Sequence, residues 1–588
     1  MIAAFWCSRS IPALLLLIGL FAANLLRATP AFADEPADLI FHSGKIATVN
    51  RAFDVVPAIA IRGEKIVAVG ADSDVLARKG AKTVVVDLKG RFVLPGLIDS
   101  HVHPGTASLH EFDHPIPAME TVADVLDYIR GRTKVVPEGK WITVRQVFIT
   151  RLREQRYPTR QELDEAAPKH PVAFSTGPDA SVNSLALQLS GIDRNGPPDG
   201  EGARIQRDAD GEPTGILRSA SRYLKIEAPP ARVPTSAEKD ERLRMLFADY
   251  NRWGITGIID RNCGLDLQEQ YLRLRDSGTL TVRVRMSRSL NVAQSVDKIL
   301  TDVEKLAADP AFTANDPLVN ILGVKIFLDG GMLTGSAYMR EPWGVSRIYG
   351  IDDNQYRGLL YVAPETLVPA VRACAERGLA FTAHSVGDGA VHALLAAYEE
   401  VNKTVPIGQT RSSLTHSNFM SREAVEQCAQ LKVPVDIQPA WLYLDTHTLV
   451  RQFGTERLRY FQPLKSLFNA GAIAGGGSDH MQRIDARKAV NPYDPFLGMW
   501  VALTRRSRFH EEPLHPEEAL TREQMLRFYT WNNAYLMKFE DQVGSLEPGK
   551  RADFVILDRD LLTCPLDAIR ETKVLATYLD GRKVYSDE

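Results

Sequence analysis

The chain has 588 residues, more than one ordinary compact domain holds, so a large domain with a smaller companion is expected. Hydrophobic residues make up 45% of the chain and charged residues 24%, as in typical globular proteins. The formal net charge is −3 and the sequence has no basic arm, which argues against a nucleic-acid partner.

The first 33 residues differ in composition from the rest of the chain. Arg9 precedes an apolar run over residues 11–26, and an Ala-Phe-Ala segment ends at Ala33, before two acidic residues. This order is typical of a secretory signal peptide cleaved after Ala33, which predicts export to a bacterial periplasm and no stable membrane association after cleavage. Because the apolar run is slightly long, an uncleaved membrane anchor is the alternative.

Short β-type runs broken by glycines occupy both ends of the remaining chain, within residues 34–92 and 540–588. They include residues 58–62 and 65–69 near the start and 552–558 near the end. Neither end is large enough to make a good β-sandwich alone.

An apolar strand that begins at Phe92 ends in two histidines, His101 and His103. Side chains at i and i+2 of a strand point to the same face, so the two imidazoles can meet at one point. In a parallel barrel this carboxyl end of the strand carries the chemistry. Two imidazoles on one face suit a metal ion, and a chance pair packed against polar neighbours is the alternative for this motif alone.

A long insertion, at about residues 104–232, separates these histidines from the next barrel-like strand at residues 254–260. Because it begins directly after two candidate ligands, it is expected to leave from the mouth of the site and to cap the pocket. Substrate selectivity is expected to reside in this lid-like insertion.

Four later strand signals also carry polar residues at or near their ends: Lys325, His384, His416 and Asp479. Helix-length stretches lie between them, at residues 365–377 and 422–431. This alternation of strand and helix predicts an α/β fold with a parallel barrel. The lysine lies within an apolar run, and a buried lysine is seldom found without a partner.

The ordered set of His101-x-His103, Lys325, His384, His416 and Asp479 resembles the metal site of the amidohydrolase superfamily. Further phrases make the chain similar to the branch, amidohydrolase family 3, that includes N-substituted formamide deformylase; they are Leu94-Pro-Gly-Leu-Ile-Asp-Ser-His101, Asp329-Gly330, His384-Ser-Val-Gly-Asp388, Gly477-Ser-Asp479 and the segment 544–553. The resemblance covers nearly everything after the leader. It implies a (β/α)8 TIM-like barrel at residues 93–539 and a composite β-sandwich built from residues 34–92 and 540–588. This chain lacks the histidine that the branch usually carries near the position of Pro178.

The resemblance also implies two divalent metal ions. His101, His103 and Asp479 would hold one and His384 and His416 the other, with Lys325 bridging them after N-carboxylation. Imidazole and carboxylate ligands suit zinc or a similar first-row metal, and zinc is the expected ion. A lysine buried beside cations favours the neutral amine that attacks carbon dioxide. One metal, with Lys325 in a simple salt bridge, is the alternative.

The expected reaction is hydrolysis of a non-peptide C–N bond in a small molecule, an N-acyl, N-formyl or cyclic amide. A metal-activated hydroxide attacks the carbonyl, and Asp479 passes the proton of the water to the departing nitrogen. Esterase, lactonase or phosphoesterase activity on the same metal site is the alternative. A non-catalytic binding protein is disfavoured because all six ligand positions are filled. The sequence leaves homo-oligomerisation open.

Four further residues are candidates for substrate contact. Tyr338 and Arg340 lie in a glycine-rich loop after the Lys325 strand, and Gln438 and Trp441 follow the strand that precedes Asp479. Loops at this end of the barrel surround the pocket, so these residues are expected to supply an amide, a cation and aromatic walls.

Overall fold

The computed structural model describes residues 35–145, 147–176, 179–200, 203–227 and 232–587. The predicted signal peptide and Pro178 lie outside these residues. Across the described ranges, no helix is both long enough and apolar enough to cross a membrane.

The first described segment forms seven short strands and one helix: β1 (Ala37–His42), β2 (Lys45–Ala47), β3 (Val55–Val56), β4 (Ala58–Arg62), β5 (Lys65–Gly70), α1 (Asp72–Leu76), β6 (Lys79–Asp87) and β7 (Phe92–Pro95). Four of the strands make one sheet in the order β5-β4-β1-β6. Residues 58–61 of β4 are all buried, because both faces of this sheet are covered by apolar clusters.

Strand β8 (Leu97–Val102) follows at once and leads into the insertion, whose elements are α2 (Pro104–Leu109), α3 (Val122–Thr133), β9 (Ile142–Arg145), α4 (Arg160–Ala166), β10 (Val172–Thr176), β11 (Asp179–Val182), α5 (Ser184–Ser190), β12 (Arg204–Arg207) and β13 (Pro213–Arg218). The strands make a five-stranded sheet in the order β12-β13-β11-β10-β9. Separate apolar clusters form around this sheet, so the insertion has its own core. We call it the lid.

The barrel consists of β8 and seven later strands: β14 (Ile255–Cys263), β15 (Arg283–Ser289), β16 (Val319–Phe327), β17 (Ala380–Ser385), β18 (Ser413–His416), β19 (Val435–Ile437) and β20 (Ala474–Gly476). All neighbours in the sheet order β20-β19-β18-β17-β16-β15-β14-β8 are parallel. The two end strands approach each other where β20 has just ended, and there Asp479 N donates to His101 O of β8 at 2.8 Å. The sheet is therefore nearly closed, as the α/β barrel prediction requires.

Helices connect these strands: α6 (Ser236–Arg252), α7 (Leu265–Asp276), α8 (Val296–Ala307), α9 (Pro310–Thr313), α10 (Pro364–Glu376), α11 (Asp388–Asn402), α12 (Ile407–Thr410), α13 (Arg422–Leu431), α14 (Pro439–Arg457) and α15 (Leu464–Ala470). The predicted helices at 365–377 and 422–431 are thus present as α10 and α13. Apolar faces of the helices pack on the strands in one large core.

The last segment contains α16 (Pro495–Thr504), α17 (Arg522–Tyr529), α18 (Trp531–Leu536), β21 (Phe554–Leu557), β22 (Val574–Leu579) and β23 (Arg582–Ser586). These strands join those of the first segment in a six-stranded sheet of order β23-β22-β21-β7-β2-β3. Both chain ends therefore build one β-domain, as predicted. Buried Arg283 of the barrel ties it in place, because Nε and Nη2 donate to the Asp553 carboxylate at 2.6 and 2.8 Å.

Candidate metal centre

Three predicted ligands meet where β8 ends and β20 has just ended. Asp479 Oδ1 lies 3.3 Å from His101 Nε2 and 3.0 Å from His103 Nε2, and the two imidazole nitrogens are 3.3 Å apart. His101 and Asp479 are buried, and His103 is partly buried. Asp479 has a left-handed backbone (φ +56°), which turns its side chain at the end of the strand.

The tautomer of His101 is set by Asp436, a residue that the sequence analysis did not single out. His101 Nδ1 lies 3.0 Å from Asp436 Oδ2, so Nδ1–H donates to the carboxylate and Nε2 keeps its lone pair. That lone pair and the oxygen of Asp479 repel each other at 3.3 Å unless a cation or proton lies between them. Burial lowers the pKa of His101 well below its usual value, which excludes a proton at neutral pH. The donor set therefore fits a metal ion.

His416 is oriented in the same way by an amide. Its Nδ1–H donates to Gln438 Oε1 at 2.8 Å, while Gln438 Nε2 donates to Asp436 Oδ1 at 2.7 Å. Gln438 is completely buried, and both of its amide atoms are engaged within the protein. We therefore assign it an orienting role, which differs from the predicted substrate contact.

Trp441 stacks on the imidazole of His416, with ring centroids 5.0 Å apart and planes inclined by 13°. The indole is buried, and its Nε1–H has no hydrogen-bond partner among the described residues. A hydrogen-bond donor without a partner among the described residues therefore lies beside a predicted metal ligand. It belongs to a residue that the sequence analysis named as a candidate for substrate contact.

His384 lies next to His416, with ring centroids 4.6 Å apart. Burial lowers the pKa of His384 to about 3, with a smaller contribution from the charge of Lys325. The imidazole is neutral at physiological pH, the form that ligates metals. His101 in turn lies 4.7 Å from His416 between ring centroids, so the four histidines form one continuous group.

Lys325 is buried in β16, with its Nζ 5.8 Å from the centroid of the Phe327 ring. No ion pair of this ammonium is found among the described residues, so the simple salt bridge considered above is absent there. Burial lowers the pKa of Lys325, the nearby Arg261 guanidinium adds to the decrease and Asp436 opposes it, so that the pKa lies at about 7. The amine is therefore readily deprotonated near neutral pH.

Arg261 and Asp99 contact residues that surround the same centre. Arg261 is buried in β14; its Nε donates to Ser100 O at 3.0 Å and lies 3.3 Å from Asp436 Oδ2. Asp99 Oδ1 accepts from the backbone N–H groups of His101 and Ser478, each at 3.0 Å. Asp99 thus links the two strand ends that carry three of the predicted ligands.

A buried aspartate, Asp329, fixes the loop that carries Tyr338. Its carboxylate accepts from the backbone N–H groups of Tyr338, Val386 and Gly387 at 2.9 to 3.0 Å. Burial raises the pKa of Asp329 to about 8. The loop packs so closely that a Cβ on Gly387 would lie 2.1 Å from Tyr338 O, which explains the glycine.

The loop places the two predicted contact residues differently. Tyr338 is half-buried and packs against the start of α11. Arg340 is half-exposed; its guanidinium lies 3.1 Å from His392 Nε2 and 3.8 Å from the Glu423 carboxylate. Arg340 thus contacts the outer surface of two helices, rather than any of the six predicted ligands.

Comparison with known proteins agrees with this geometry. The family model described as "Amidohydrolase family" matches residues 84–585, which is most of the chain. The chain belongs to the amidohydrolase family.

Two curated relatives of this amidohydrolase match along nearly their whole length. It is 29% identical to an N-substituted formamide deformylase of Arthrobacter pascens, over 92% of this chain and 97% of the relative. It is 27% identical to the putative amidohydrolase YtcJ of Bacillus subtilis, over 93% and 99%. An uncharacterized metal-dependent hydrolase of Pyrococcus furiosus shares the fold, with a TM-score of 0.62 and 24% identity over 89% of this chain and 100% of that one.

The sequence analysis missed four residues that contact the predicted ligands of this amidohydrolase or their partners: Asp99, Arg261, Asp436 and Asn491. Asn491 Nδ2 donates to Asp479 O at 2.7 Å and Oδ2 at 3.2 Å, and so fixes the carboxylate. A charged residue inside an apolar strand could have indicated two of them, Arg261 and Asp436. Asn491 lies in a loop and carries no such signal.

Proposed function

We propose that this amidohydrolase hydrolyses a non-peptide C–N bond of a small molecule, an N-formyl, N-acyl or cyclic amide. The observation that carries the proposal is the meeting of His101 Nε2, His103 Nε2 and Asp479 Oδ1 within 3.3 Å, beside His384, His416 and Lys325. The similarity to a protein named N-substituted formamide deformylase supports a formamide or related amide as substrate.

The proposed metal ligands follow from this arrangement. His101, His103 and Asp479 would hold one divalent ion and His384 and His416 a second, with zinc favoured by the nitrogen-rich donor set. Lys325 would bridge the two ions as a carbamate, since its lowered pKa makes the neutral amine available to carbon dioxide. When bound, such ions lower the pKa of water and polarise a substrate carbonyl.

Asp479 is the proposed general base and acid. Asn491 holds its Oδ2, which leaves Oδ1 directed at the two histidines of the centre. From there the carboxylate would take the proton of the attacking water and give it to the departing nitrogen. The free indole N–H of Trp441 would donate to the bound substrate, and the lid would cover it.

We also propose that the protein is exported from the cytosol. The leader composition supports secretion to the periplasm, with an uncleaved anchor as the alternative. Detection of the processed chain in the periplasmic fraction, with Met1 to Ala33 removed, would support it; the intact chain in the cytosol would contradict it.

A substrate panel tests the proposed reaction. Zinc-loaded protein is assayed on N-formyl and N-acetyl amines and cyclic amides, alongside matched esters, lactones and phosphoesters. We expect turnover of the amides to exceed that of the other classes. Preferred turnover of an ester or phosphoester would contradict the C–N assignment.

The variant Asp479→Asn tests the role of the carboxylate in the same panel. It should lose about 10³-fold or more in kcat, because it removes the proton acceptor. Turnover within about tenfold of the parent, with metal still bound, would contradict the assigned role.

A further inference from the structure

A cavity of about 560 Å³ lies between the lid and the barrel. Its walls include residues 110–120 and 145–151 on the lid side and residues 443–444 and 482–497 on the barrel side. Its volume is in the range of about 300–1,000 Å³ that is usual for small-molecule sites. None of the six predicted ligands lines it, so it is a site separate from the metal centre.

The lining of this cavity is strongly cationic, although the whole protein has a net charge of −3. Seven arginine and lysine side chains line it against three carboxylates. Five of the cations have carboxylate partners; the pairs are Arg151–Asp445, Arg483–Glu111, Arg487–Asp494, Lys488–Asp485 and Arg508–Glu120.

Arg145 and Arg570 are the exceptions. Neither guanidinium forms an ion pair with any residue in the described part of the chain. Arg145 ends strand β9 of the lid, whereas Arg570 lies near the carboxyl end of the chain, over the ring of Trp500 at 5.1 Å. Glu571 is the one lining carboxylate without an ion pair among the described residues. Two unpaired arginines are therefore balanced by only one unpaired carboxylate, which leaves the lining with a net positive charge. Two exposed arginines from distant segments, without carboxylate partners among the described residues, thus line the same open cavity.

Apolar side chains complete the walls, among them Phe148, Tyr443 and Leu444. We propose that this cavity binds a small organic carboxylate, with its anionic group paired to Arg145 and Arg570 and its apolar body against these three side chains. A guanidinium recognises a carboxylate through two parallel hydrogen bonds, which a neutral amide of the same shape lacks.

A chain of hydrogen bonds joins the cavity to the metal centre. Arg151, in the cavity wall, donates to Asn491 Oδ1 at 3.0 Å, and Asn491 Nδ2 donates to Asp479. The cavity wall therefore contacts Asn491, which itself binds the proposed general base. This coupling rests on the proposed function, whereas binding of the anion does not.

Calorimetric titration of the zinc-loaded full chain with benzoate, and with benzamide as the neutral match, tests the site. We expect the parent to bind benzoate about tenfold more tightly than benzamide. The double variant Arg145→Gln/Arg570→Gln should lose this preference, while Arg51→Gln, which removes an exposed arginine of the β-domain, should keep it. No preference in the parent, or an unchanged preference in the double variant, would overturn the proposal. Because no turnover is measured, the result stands even if the proposed reaction fails.

Kinetics with formanilide and its 4-carboxylate then identify the source of the anion. A KM that rises in the double variant for the carboxylate alone shows that the anion belongs to the substrate. A formanilide rate that changes on addition of benzoate to the parent, and not to the double variant, shows a separate effector. The proposal would be overturned if the double substitution changed the KM of formanilide and of its 4-carboxylate equally and benzoate had no effect on the formanilide rate.

Discussion

Neighbouring side chains orient two of the predicted metal ligands, His101 and His416. Asp436 accepts from His101 Nδ1 and Gln438 accepts from His416 Nδ1, so both imidazoles are directed to the centre through Nε2. Gln438 also donates to Asp436, which joins the two orienting contacts into one buried network. Loss of one member leaves a buried partner without its hydrogen bond, and such outer partners affect metal affinity strongly.

Gln438→Leu should weaken the binding of zinc by about 10- to 100-fold, because His416 loses the acceptor that fixes its tautomer. Competition titration against a chelator measures this affinity. The matched control is Gln427→Leu, which removes a partly buried glutamine of α13 whose side chain donates to Glu399 on the surface. Equal zinc affinity in both variants would show that Gln438 does not orient the ligand.

The protonation of Lys325 predicts a pH-dependent effect of bicarbonate. Burial lowers the pKa of Lys325 to about 7, so the ammonium prevails below pH 7 and the neutral amine above it. Only the amine forms a carbamate, so bicarbonate should increase zinc uptake by the metal-free protein more at pH 8 than at pH 6. Metal content after incubation with and without bicarbonate measures the effect. Lys325→Ala should show no bicarbonate effect, and an equal effect at both pH values in the parent would contradict the carbamate.

At the scale of elements, the regular parts of the barrel follow from the sequence. Apolar strands that end in His101, His384 and His416 alternate with helix-length segments, and parallel order then brings the strand ends to one rim. The side-chain contacts between different strands cannot be predicted from the sequence in the same way. Asp436 and His101 are 335 positions apart, and neither local pattern nor periodicity pairs them. The left-handed backbone at Asp479, which fixes the direction of its side chain, also has no signal in the residue type.

A buried cation lies at the joint between the barrel and the β-domain. Arg283 is buried, and its guanidinium contacts the carboxylates of Asp553 and Asp580. Arg283→Met would leave both carboxylates without this partner and should lower the free energy of unfolding by about 3–5 kcal/mol. Thermal and denaturant unfolding measure the loss.

Arg273→Met is the control, since Arg273 forms an exposed pair with Asp240 that contributes about 0–1 kcal/mol. Similar losses in the two variants would contradict a structural role for the buried pair. Zinc content of folded Arg283→Met protein should equal that of the parent, because Arg283 contacts none of the six ligands.

The described molecule has three parts, the barrel, the lid and the β-domain. The barrel carries the six predicted ligands, the lid begins directly after His103, and the β-domain joins strands from both ends of the described chain. That the insertion caps the pocket stays a prediction, which rests on its start directly after a predicted ligand. Its own five-stranded sheet and the cationic cavity beneath it were not predicted, because they arise from contacts between lid and barrel segments far apart in sequence.

Metal content per chain tests the central claim most directly. Mature protein purified without chelators should contain about two divalent ions per chain by plasma mass spectrometry, and Lys325→Ala should contain fewer. This result would support a pair of ions bridged by Lys325 and held by four histidines and Asp479. A parent with no bound metal, or with one ion unaffected by Lys325→Ala, would contradict it.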